Sequence, residues 1–374
     1  MNVLQVTKGA LMGGGEKHVL TLLEGFKDEK INVSLAVFAE GRLSEAAREL
    51  GFEVHIISKR YRGDIAPLVK LISLIKVKNI DIVHTHLISG NLYGRLAGKA
   101  ARVKGVVSTL HHSHKENMGR FSMPLMQDLF FRLDIKMAAL SDCIVAPSAN
   151  LKSLLVKHGV KATKIVSIPN AVNVKNLNLS EEDVRACLEE LSIPPDVKLV
   201  GMVGRMVSVK NFELLLKTAR RVIDEGIKAR FILVGDGPLR SELEKLTASL
   251  ELGEHVIFTG FREDVFRIVS TFDLFVLCSK SETNPIALIE AMALKKPVIA
   301  TNVGGVSEII DHMENGWLCP PEDEIALANS ITCLLNCPEK ASEFGTNAYQ
   351  KVVTNFSLKG VTLELLNVYA GLTH

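Results

Sequence analysis

The most informative chemical pattern is a pair of glutamates separated by seven residues, in the run Ser-Glu-Thr-Asn-Pro-Ile-Ala-Leu-Ile-Glu-Ala-Met at residues 281–292. Pro285 suits the first position of a helix and Asn284 or Thr283 its N-cap, so Glu282 falls in a loop and Glu290 on the helix. A carboxylate among apolar residues is costly to bury alone, and the vicinal hydroxyls of a ribose are a suitable partner for Glu290. Glu282 is placed to hold hydroxyls of a second sugar. The plain alternative is a surface-exposed pair of glutamates.

The start of that helix is a candidate phosphate site. It follows a predicted strand over residues 274–278, so the backbone N–H groups of Ile286 and Ala287 are free to bind an anion. A second Gly-rich strand end, Thr-Asn-Val-Gly-Gly-Val-Ser-Glu at residues 301–308, adds a further backbone cradle before a predicted helix start.

Two cations follow the first strand of the second half of the chain. Gly204 ends that predicted strand, and Arg205 and Lys210 lie in the loop before the next helix. Ligands of doubly wound sheets bind at such strand ends, where Arg205 can bind a diphosphate as a bidentate fork and Lys210 as a point charge. Two solvated surface side chains are the alternative.

The third pattern is a run of three glycines before a glutamate at residues 13–16. It lies between an opening strand and an apolar-periodic helix, but it is not the G-x-G-x-x-G fingerprint. Glycines at Gly14 and Gly15 let the backbone approach a phosphate closely. A plain flexible turn is the alternative.

Alternating strands and helices must position these residues. Predicted strands at residues 2–6, 33–38, 54–57, 82–84, 106–109 and 143–146 alternate with helices. The alternation restarts with predicted strands at residues 199–204, 231–235, 256–259, 274–278 and 297–301. Parallel strands need such crossover helices, so the sequence predicts an α/β protein with two doubly wound, Rossmann-type domains and a linker near residue 170.

Composition excludes several functions. The 374 residues carry 44 basic and 42 acidic side chains, which disfavours a nucleic-acid partner. Six scattered cysteines form no C-x-x-C pair, so neither a zinc ribbon nor a disulfide framework is expected. The amino-terminal residues do not resemble a signal peptide and no apolar window is long enough for a membrane span, so we expect a cytoplasmic protein.

Taken in order, the motifs resemble family 4 of the retaining GT-B glycosyltransferases. The resemblance covers nearly the whole chain and rests on the glycines before Glu16, G-R-x5-K at residues 204–210, Val-Gly-Asp-Gly-Pro at 234–238, Thr-Gly-Phe at 259–261, E-x7-E at 282–290, and Gly304-Gly305 with Glu308.

This resemblance implies two Rossmann-like domains facing each other across a cleft. Residues 1–170 would bind the acceptor, together with a final helix (357–374) that crosses back, and residues 171–356 would bind the nucleotide-sugar donor. By this resemblance, Arg205 and Lys210 would bind the diphosphate of the donor. Glu290 would bind its ribose, and Glu282 would bind hydroxyls of the donor sugar. The remaining donor contacts would come from the backbone or side chains of Gly14, Gly15, Gly204, Gly235, Phe261, Arg262, Asn284, Ile286 and Ala287.

Histidines follow two of the predicted strands. His111 matches the family histidine that lies near the donor sugar, as a polar contact rather than a proven proton carrier. His86 is a possible acceptor-site residue. Their spacing fits no standard metal site, so no metal is expected there.

The chain also departs from the family pattern. Thr283-Asn284-Pro285 stands where Gly-Phe-Gly or Gly-Phe-Pro is common, so Asn284 would make a direct hydrogen bond instead of an apolar contact. Ser307 replaces a common proline, which a helix start tolerates.

Reaction chemistry follows from the charge of the leaving diphosphate. Fixed cations and helix N-termini meet that charge, and no D-x-D sequence ends a strand, since Asp323 reads as a helix cap. We therefore expect retaining transfer from a UDP- or GDP-sugar without metal or other cofactor, onto a saccharide or lipid-linked saccharide used in cell-surface polysaccharide or glycan synthesis.

Several alternatives remain open. Basic, apolar helices over residues 65–78 and 123–137 suggest peripheral contact with the cytoplasmic membrane face, although ordinary packed helices explain them equally. A nucleotide-sugar epimerase or hydrolase, and a non-catalytic nucleotide-sugar-binding scaffold, share the expected fold. A glycosidase acid pair at Glu282 and Glu290 fits worst, because their placement suits gripping hydroxyls rather than flanking one bond.

Overall fold

The computed structural model describes residues 1–9, 13–59, 61, 64–111, 133–174, 177 and 179–373. It divides into two compact units. The second is Val172–Ser357, and the first combines the chain before Val172 with the last helix. Predicted helix 123–137 lies mostly outside the described residues.

The first unit is built on a parallel sheet. Its described strands are β1 (Asn2–Thr7), β2 (Asn32–Val37), β3 (Glu53–Ile56), β4 (Ile82–His86), β5 (Gly105–Thr109), β6 (Cys143–Ala146) and β7 (Ile165–Ser167), in the order β3-β2-β1-β4-β5-β6-β7. Its described helices are α1 (Gly14–Phe26), α2 (Arg42–Glu49), α3 (Ala66–Val77), α4 (Leu87–Ala101) and α5 (Ala149–Lys157). All six predicted strands are present, and the short β7 was not predicted.

The second unit repeats this plan. Its strands are β8 (Lys198–Val203), β9 (Ala229–Val234), β10 (Val256–Gly260), β11 (Leu274–Leu277), β12 (Val298–Thr301) and β13 (Trp317–Cys319), in the order β10-β9-β8-β11-β12-β13. Its helices are α6 (Glu181–Glu190), α7 (Phe212–Asp224), α8 (Arg240–Ser249), α9 (Val265–Ser270), α10 (Ile286–Ala293), α11 (Glu324–Asn336) and α12 (Pro338–Asn355). The strands are mostly apolar, because helices cover both faces of a parallel sheet, and polar residues such as Lys198 lie at strand ends.

The last helix, α13 (Leu358–Thr373), belongs to the first unit, as the resemblance predicted. Val361, Leu365 and Tyr369 pack in the same buried cluster as the apolar side chains of α1. Contact with α1 is close, since a Cβ at Gly25 would lie 2.1 Å from Oγ1 of Thr362. Glycine at this position therefore lets the two helices approach.

Capping residues fix several helix starts where the sequence predicted them. The Ser180 hydroxyl accepts the Asp183 N–H at 3.1 Å at the start of α6. The carboxylate of Asp323 accepts the Ala326 N–H at 2.9 Å at the start of α11, which confirms it as a cap. All six cysteines are free, in agreement with the absence of a disulfide framework.

Candidate active site

In the second unit, the predicted phosphate-binding loops lie where the strand order reverses. Strands β8 and β11 are neighbours, while β9 and β10 extend the sheet to one side and β12 and β13 to the other. Crevices at such switch points, at the carboxyl ends of the strands, are the usual ligand sites of doubly wound sheets. Arg205 and Lys210 follow β8, and Glu282 follows β11, so all three lie at this edge.

Lys210 and Glu282 form an ion pair in that position. The Lys210 Nζ lies 2.5 Å from Oε1 of Glu282, and the Ser279 hydroxyl donates to the same oxygen at 2.6 Å. The Glu282 side chain is only 6% exposed and that of Lys210 26% exposed. The glutamate predicted for sugar hydroxyls and the lysine predicted for the diphosphate are therefore direct neighbours.

Arg205 completes the basic character of this edge. Its side chain is exposed, and its guanidinium makes no hydrogen bond or ion pair with another described residue. The loop beneath it is held by backbone bonds. The Met206 N–H donates to the Asp236 carbonyl at 2.9 Å, and the Lys280 N–H donates to the Val209 carbonyl at 2.8 Å. The arginine thus stands on an anchored loop with its charge available to an anion.

Two glycines at this edge are required by close backbone approach. Gly235 has φ +128° and a Cβ there would lie 2.0 Å from the Gly204 carbonyl oxygen. Gly304 has φ +55° and a Cβ there would lie 1.9 Å from the Glu282 carbonyl oxygen, which also accepts the Gly305 N–H at 2.9 Å. Both glycines let neighbouring loops touch. Gly204 is not crowded, since its nearest such contact is 3.7 Å, to Lys210.

The helix carrying the second glutamate begins one residue later than predicted. Pro285 is the N-cap of α10 rather than its first residue, and no side chain caps the helix there. A proline cannot supply a capping oxygen, so the capping prediction for Asn284 or Thr283 was wrong. The N-cap residue Pro285 makes no side-chain bond to the N-terminal N–H groups of α10, and such groups, including those of Ile286 and Ala287, suit an anion.

Both glutamates are buried, which excludes the surface-pair alternative. Glu290 lies in the middle of α10 at 3% exposure, between the core side chains Ile289 and Ala291. Asn284, just before the helix, is also buried. Buried carboxylates need polar partners, so this arrangement is typical of a binding site rather than of a solvated face.

Gly304-Gly305 does not begin an α-helix. Residues Val306–Glu308 form a single 3-10 turn, so the predicted second helix start is wrong. A turn of three residues carries little of the dipole that a long helix directs at an anion. The contribution of Gly304-Gly305 to the site is therefore the support they give to the Glu282 loop.

Phe261 and Arg262 lie on the loop after β10, at the edge of the second sheet. Phe261 is 45% exposed. The Arg262 guanidinium donates to Asp264 at 2.7 Å and to Glu190 at 2.5 Å, and hydrogen bonds to these carboxylates raise its pKa. The guanidinium is therefore occupied by these carboxylates. The contact with a nucleotide base that the resemblance implies for Arg262 would use its backbone.

The first unit has its own switch point, between β1 and β4. Gly14 and Gly15 open α1 just after β1, and the Glu16 carboxylate accepts the Gly13 N–H at 3.2 Å. A Cβ at Gly15 would lie 2.5 Å from Leu87, whereas a Cβ at Gly14 would meet no atom within 4 Å. Gly15 is thus explained by packing, whereas a Cβ at Gly14 would meet open space among the described residues.

Three histidines meet at the same switch point. His86 ends β4, His111 follows β5, and His18 lies on α1. The Nδ1 atom of His86 and the Nε2 atom of His111 are 3.3 Å apart, and the His18 ring meets that of His111 edge-on at 4.7 Å between centroids. His18 was not among the residues predicted from the sequence. The available signal was its position four residues after Gly14, which puts both on one face of α1.

A buried hydrogen-bond network supports the histidines. The Gln5 side chain accepts from Nε2 of His86 at 2.7 Å and donates to the Tyr369 hydroxyl at 3.1 Å. Tyr369 also bonds Nδ1 of His84 at 2.6 Å, and Nε2 of His84 bonds the Thr109 hydroxyl at 2.7 Å. Burial lowers the pKa of His84 and of His86 well below its usual value, so both are uncharged at neutral pH.

His86 does not fit its predicted role at the acceptor. Its side chain is fully buried and both ring nitrogens have partners, Gln5 and His111. The structure therefore corrects this prediction, because a side chain without exposed surface orients its neighbour His111 rather than touching a substrate.

Comparison with known proteins identifies the class. Residues 12–176 match the model of Glycosyltransferase Family 4, and residues 184–351 match that of Glycosyl transferases group 1. The two matches together span most of the chain, and both units have the Rossmann-like topology of the GT-B fold. The chain belongs to the group 1, family 4 glycosyltransferases, and it is an enzyme of that class.

Individual relatives cover nearly the same length. The chain is 27% identical to N-acetyl-alpha-D-glucosaminyl L-malate synthase of Bacillus anthracis, over 82% of this chain and 78% of that protein. It is 25% identical to UDP-Gal:alpha-D-GlcNAc-diphosphoundecaprenol alpha-1,3-galactosyltransferase of Escherichia coli, over 93% and 91%.

Among solved structures, Anabaena HepE in complex with UDP-glucose superposes with a TM-score of 0.89, at 21% identity over 99% of this chain and 100% of that chain. This likeness concerns the fold. In the part of the chain that the structure describes, no helix is long and apolar enough to cross a bilayer.

Proposed function

We propose that the protein transfers a sugar from a UDP- or GDP-sugar to a hydroxyl of a saccharide or lipid-linked saccharide, with retention at the anomeric carbon. The observation that carries the proposal is the Lys210–Glu282 ion pair beside the exposed Arg205, at the switch point of the second unit. This edge of the sheet brings together two cations that suit a diphosphate and a buried carboxylate that can accept hydrogen bonds from sugar hydroxyls.

The chemistry follows from charge. The bond that breaks joins the anomeric carbon to a diphosphate oxygen, so negative charge grows on the leaving group while the sugar becomes oxocarbenium-like. Arg205 offers a fork of N–H donors and Lys210 a point charge. The α10 N-terminus adds N–H groups that its N-cap residue, Pro285, does not cap. We propose that these groups replace a divalent metal at the diphosphate.

Two carboxylates hold the hydroxyl groups of the donor. Glu290 is assigned to the ribose diol and Glu282 to hydroxyls of the transferred sugar. Glu282 is fixed by Ser279 as well as by Lys210, so it is oriented before the donor arrives. A positioned carboxylate loses little entropy on binding, which favours recognition of one sugar geometry.

In the first unit, His111 is assigned as a polar contact of the donor sugar and Gly14 as a backbone donor to phosphate. His86 holds the His111 ring through the 3.3 Å contact. Same-face attack, with a leaving phosphate oxygen taking the acceptor proton, is the mechanism that the family resemblance supports.

The nature of the acceptor is proposed from the relatives. The Escherichia coli relative is named for a diphosphoundecaprenol-linked acceptor, and a Staphylococcus aureus relative for poly(ribitol-phosphate). We take these acceptor names to favour a role in surface polysaccharide or glycan synthesis.

Thermal-shift screening against nucleoside diphosphates and nucleotide-sugars tests the donor. We expect one base to raise the melting temperature clearly, because ligand at about 100 times its Kd stabilises by roughly 2.7 kcal/mol. Addition of EDTA is expected to leave the shift unchanged. Absence of any shift across the panel would contradict the proposal and favour a scaffold, and donor consumption at equal rates with and without acceptors would favour an epimerase or hydrolase.

Peripheral membrane contact is proposed for α3, with a change in the residues involved. Leu71 and Ile75 belong to the helix for which the sequence left membrane contact and ordinary packing open, and both are buried in the core of the first unit. The exposed face instead carries apolar and basic side chains together, namely Ile65, Val69, Lys70, Lys76, Val77 and Lys78. Such a mixed surface suits an anionic headgroup layer.

Co-sedimentation with vesicles containing anionic lipid tests this surface. The double variant Lys70→Glu with Lys76→Glu is expected to lose most vesicle binding, since each lysine near an anionic surface contributes about 1 kcal/mol. The double variant Lys157→Glu with Lys161→Glu has the same charge change elsewhere in the unit and serves as the control. Equal binding by both variants and the wild type, or none by any of them, would remove the claim.

A further inference from the structure

The histidine cluster of the first unit has the composition of a metal site. His18, His86 and His111 come from α1, from the end of β4 and from the segment after β5. One ring nitrogen of each lies within 4.8 Å of one ring nitrogen of the other two. The spacing along the sequence gave no indication of this site, because the fold assembles it from three separate segments.

Hydrogen bonds outside the cluster fix which nitrogen of His86 can act as a ligand. The amide oxygen of Gln5 only accepts, so Nε2 of His86 carries the ring proton and Nδ1 presents a lone pair towards His111. Gln5 is fixed in turn by Tyr369. Metal-binding histidines are commonly held in this way by an oxygen on the other ring nitrogen.

His18 gives a second, independent indication. It is 4% exposed, and its Nε2 atom has no hydrogen-bond partner within the described part of the chain. A buried polar nitrogen without a partner costs free energy, which a ligand at that position would recover.

We infer that His18, His86 and His111 form a binding site for a divalent transition-metal ion, of which Zn²⁺ is the representative. Imidazole nitrogens suit Zn²⁺, Cu²⁺, Ni²⁺ and Co²⁺ rather than Mg²⁺ or Ca²⁺. This site is distinct from the diphosphate site of the second unit, where the proposed transfer uses no metal.

The distances are compatible with small ring movements. Zinc–nitrogen bonds of about 2.0–2.1 Å at tetrahedral angles put the nitrogens about 3.4 Å apart. The His86–His111 pair is already at 3.3 Å. The remaining separations, up to 4.8 Å, must shorten by a little over 1 Å at most.

Metal occupancy has a consequence for catalysis that rests on the proposed function. An ion on Nε2 of His111 takes that atom away from the donor sugar, so Zn²⁺ is expected to inhibit transfer. The metal site itself stands independently of this consequence, since it is measured by binding alone.

Metal titration of the full chain tests the inference. The protein is stripped with EDTA, carries Cys333→Ser and Cys337→Ser to remove two accessible thiols, and is titrated with ZnCl₂ by calorimetry and with CoCl₂ by visible absorption. We expect one ion per chain and the absorption bands of four-coordinate Co²⁺. His18→Ala is expected to weaken binding by more than about 10-fold, whereas the exposed His158→Ala leaves it unchanged.

The outcome separates this inference from the proposed function. No binding of either ion, or equal binding by His18→Ala and the parent, would overturn the metal site even if nucleotide-sugars still stabilise the protein. His18→Gln, which keeps a polar side chain, replaces His18→Ala should that variant fail to fold by circular dichroism. Failure of the nucleotide-sugar screen with intact Co²⁺ binding would overturn the proposed function alone.

Discussion

Lys210→Ala is expected to lower kcat for sugar transfer by about 100- to 1,000-fold, the usual effect of removing one group that stabilises charge in a transition state. The variant loses the cation beside the leaving diphosphate and leaves the buried Glu282 without its 2.5 Å partner. Donor affinity should change less than kcat, because Arg205 and the α10 N-terminus still hold the ground-state diphosphate. Steady-state kinetics with calorimetric donor binding separates the two effects.

Lys280→Ala is the matched control. Lys280 lies on the neighbouring loop, and its side chain pairs with Glu322 at the surface at 3.1 Å. Its contact with the Val209 carbonyl uses the backbone and survives the substitution. Equal kcat in Lys210→Ala and Lys280→Ala would show that Lys210 has no special role in transfer.

Glu290→Gln is expected to raise the donor Kd by about 10- to 100-fold while kcat at saturation changes little. Hydrogen bonds to a charged group contribute about 1.5–3 kcal/mol, and glutamine keeps the shape of the buried side chain while removing its charge. The loss should be similar for a nucleoside diphosphate and for the complete nucleotide-sugar, because the assigned contact is with the ribose. Calorimetric titration with both ligands measures it.

Glu244→Gln provides the comparison for this experiment. Glu244 is a solvent-exposed residue of α8 that pairs with Arg240 at 2.8 Å. We expect its donor Kd to equal that of the wild type. A Glu290→Gln variant that folds normally and binds nucleoside diphosphate as tightly as Glu244→Gln would refute the ribose assignment.

Much of the fold was predictable because its signals are local. Buried parallel strands such as β1 and β8 are continuous apolar runs, and the helices between them repeat with a period of 3.6. The strands that were missed, β7 and β13, have three residues each, too few to show a period. Their partners across the sheet, rather than their own sequence, define them.

The donor site was predictable in composition but not in its contacts. Strand ends place Arg205, Lys210 and Glu282 at one edge by topology alone. The ion pair between Lys210 and Glu282 was not predicted, because the residues are 72 positions apart and meet only through the adjacency of β8 and β11. From the sequence, Lys210 and Glu282 were each expected to bind a part of the donor, and their contact with each other was not expected.

Helix α3 and the histidine cluster show what the sequence could not resolve. In α3, the apolar pattern of residues 65–78 had two interpretations, and the structure gives Leu71 and Ile75 to the core. For the histidines, the distance between His18 and His86 along the chain concealed a spatial cluster. In both cases the role of a side chain depends on its neighbours in the folded structure. The period or spacing of residues along the sequence does not reveal those neighbours.

Tyr369 joins the end of the chain to its beginning. Its hydroxyl bonds Gln5 on β1 and His84 on β4, across 364 and 285 positions of sequence. During translation, residues as far as Tyr369 must therefore leave the ribosome before the first unit can close its interior. The stretch Val172–Ser357, synthesised later than most of that unit, has its complete complement of strands before the final helix emerges. The first unit therefore begins to be synthesised first but becomes complete only after the second unit.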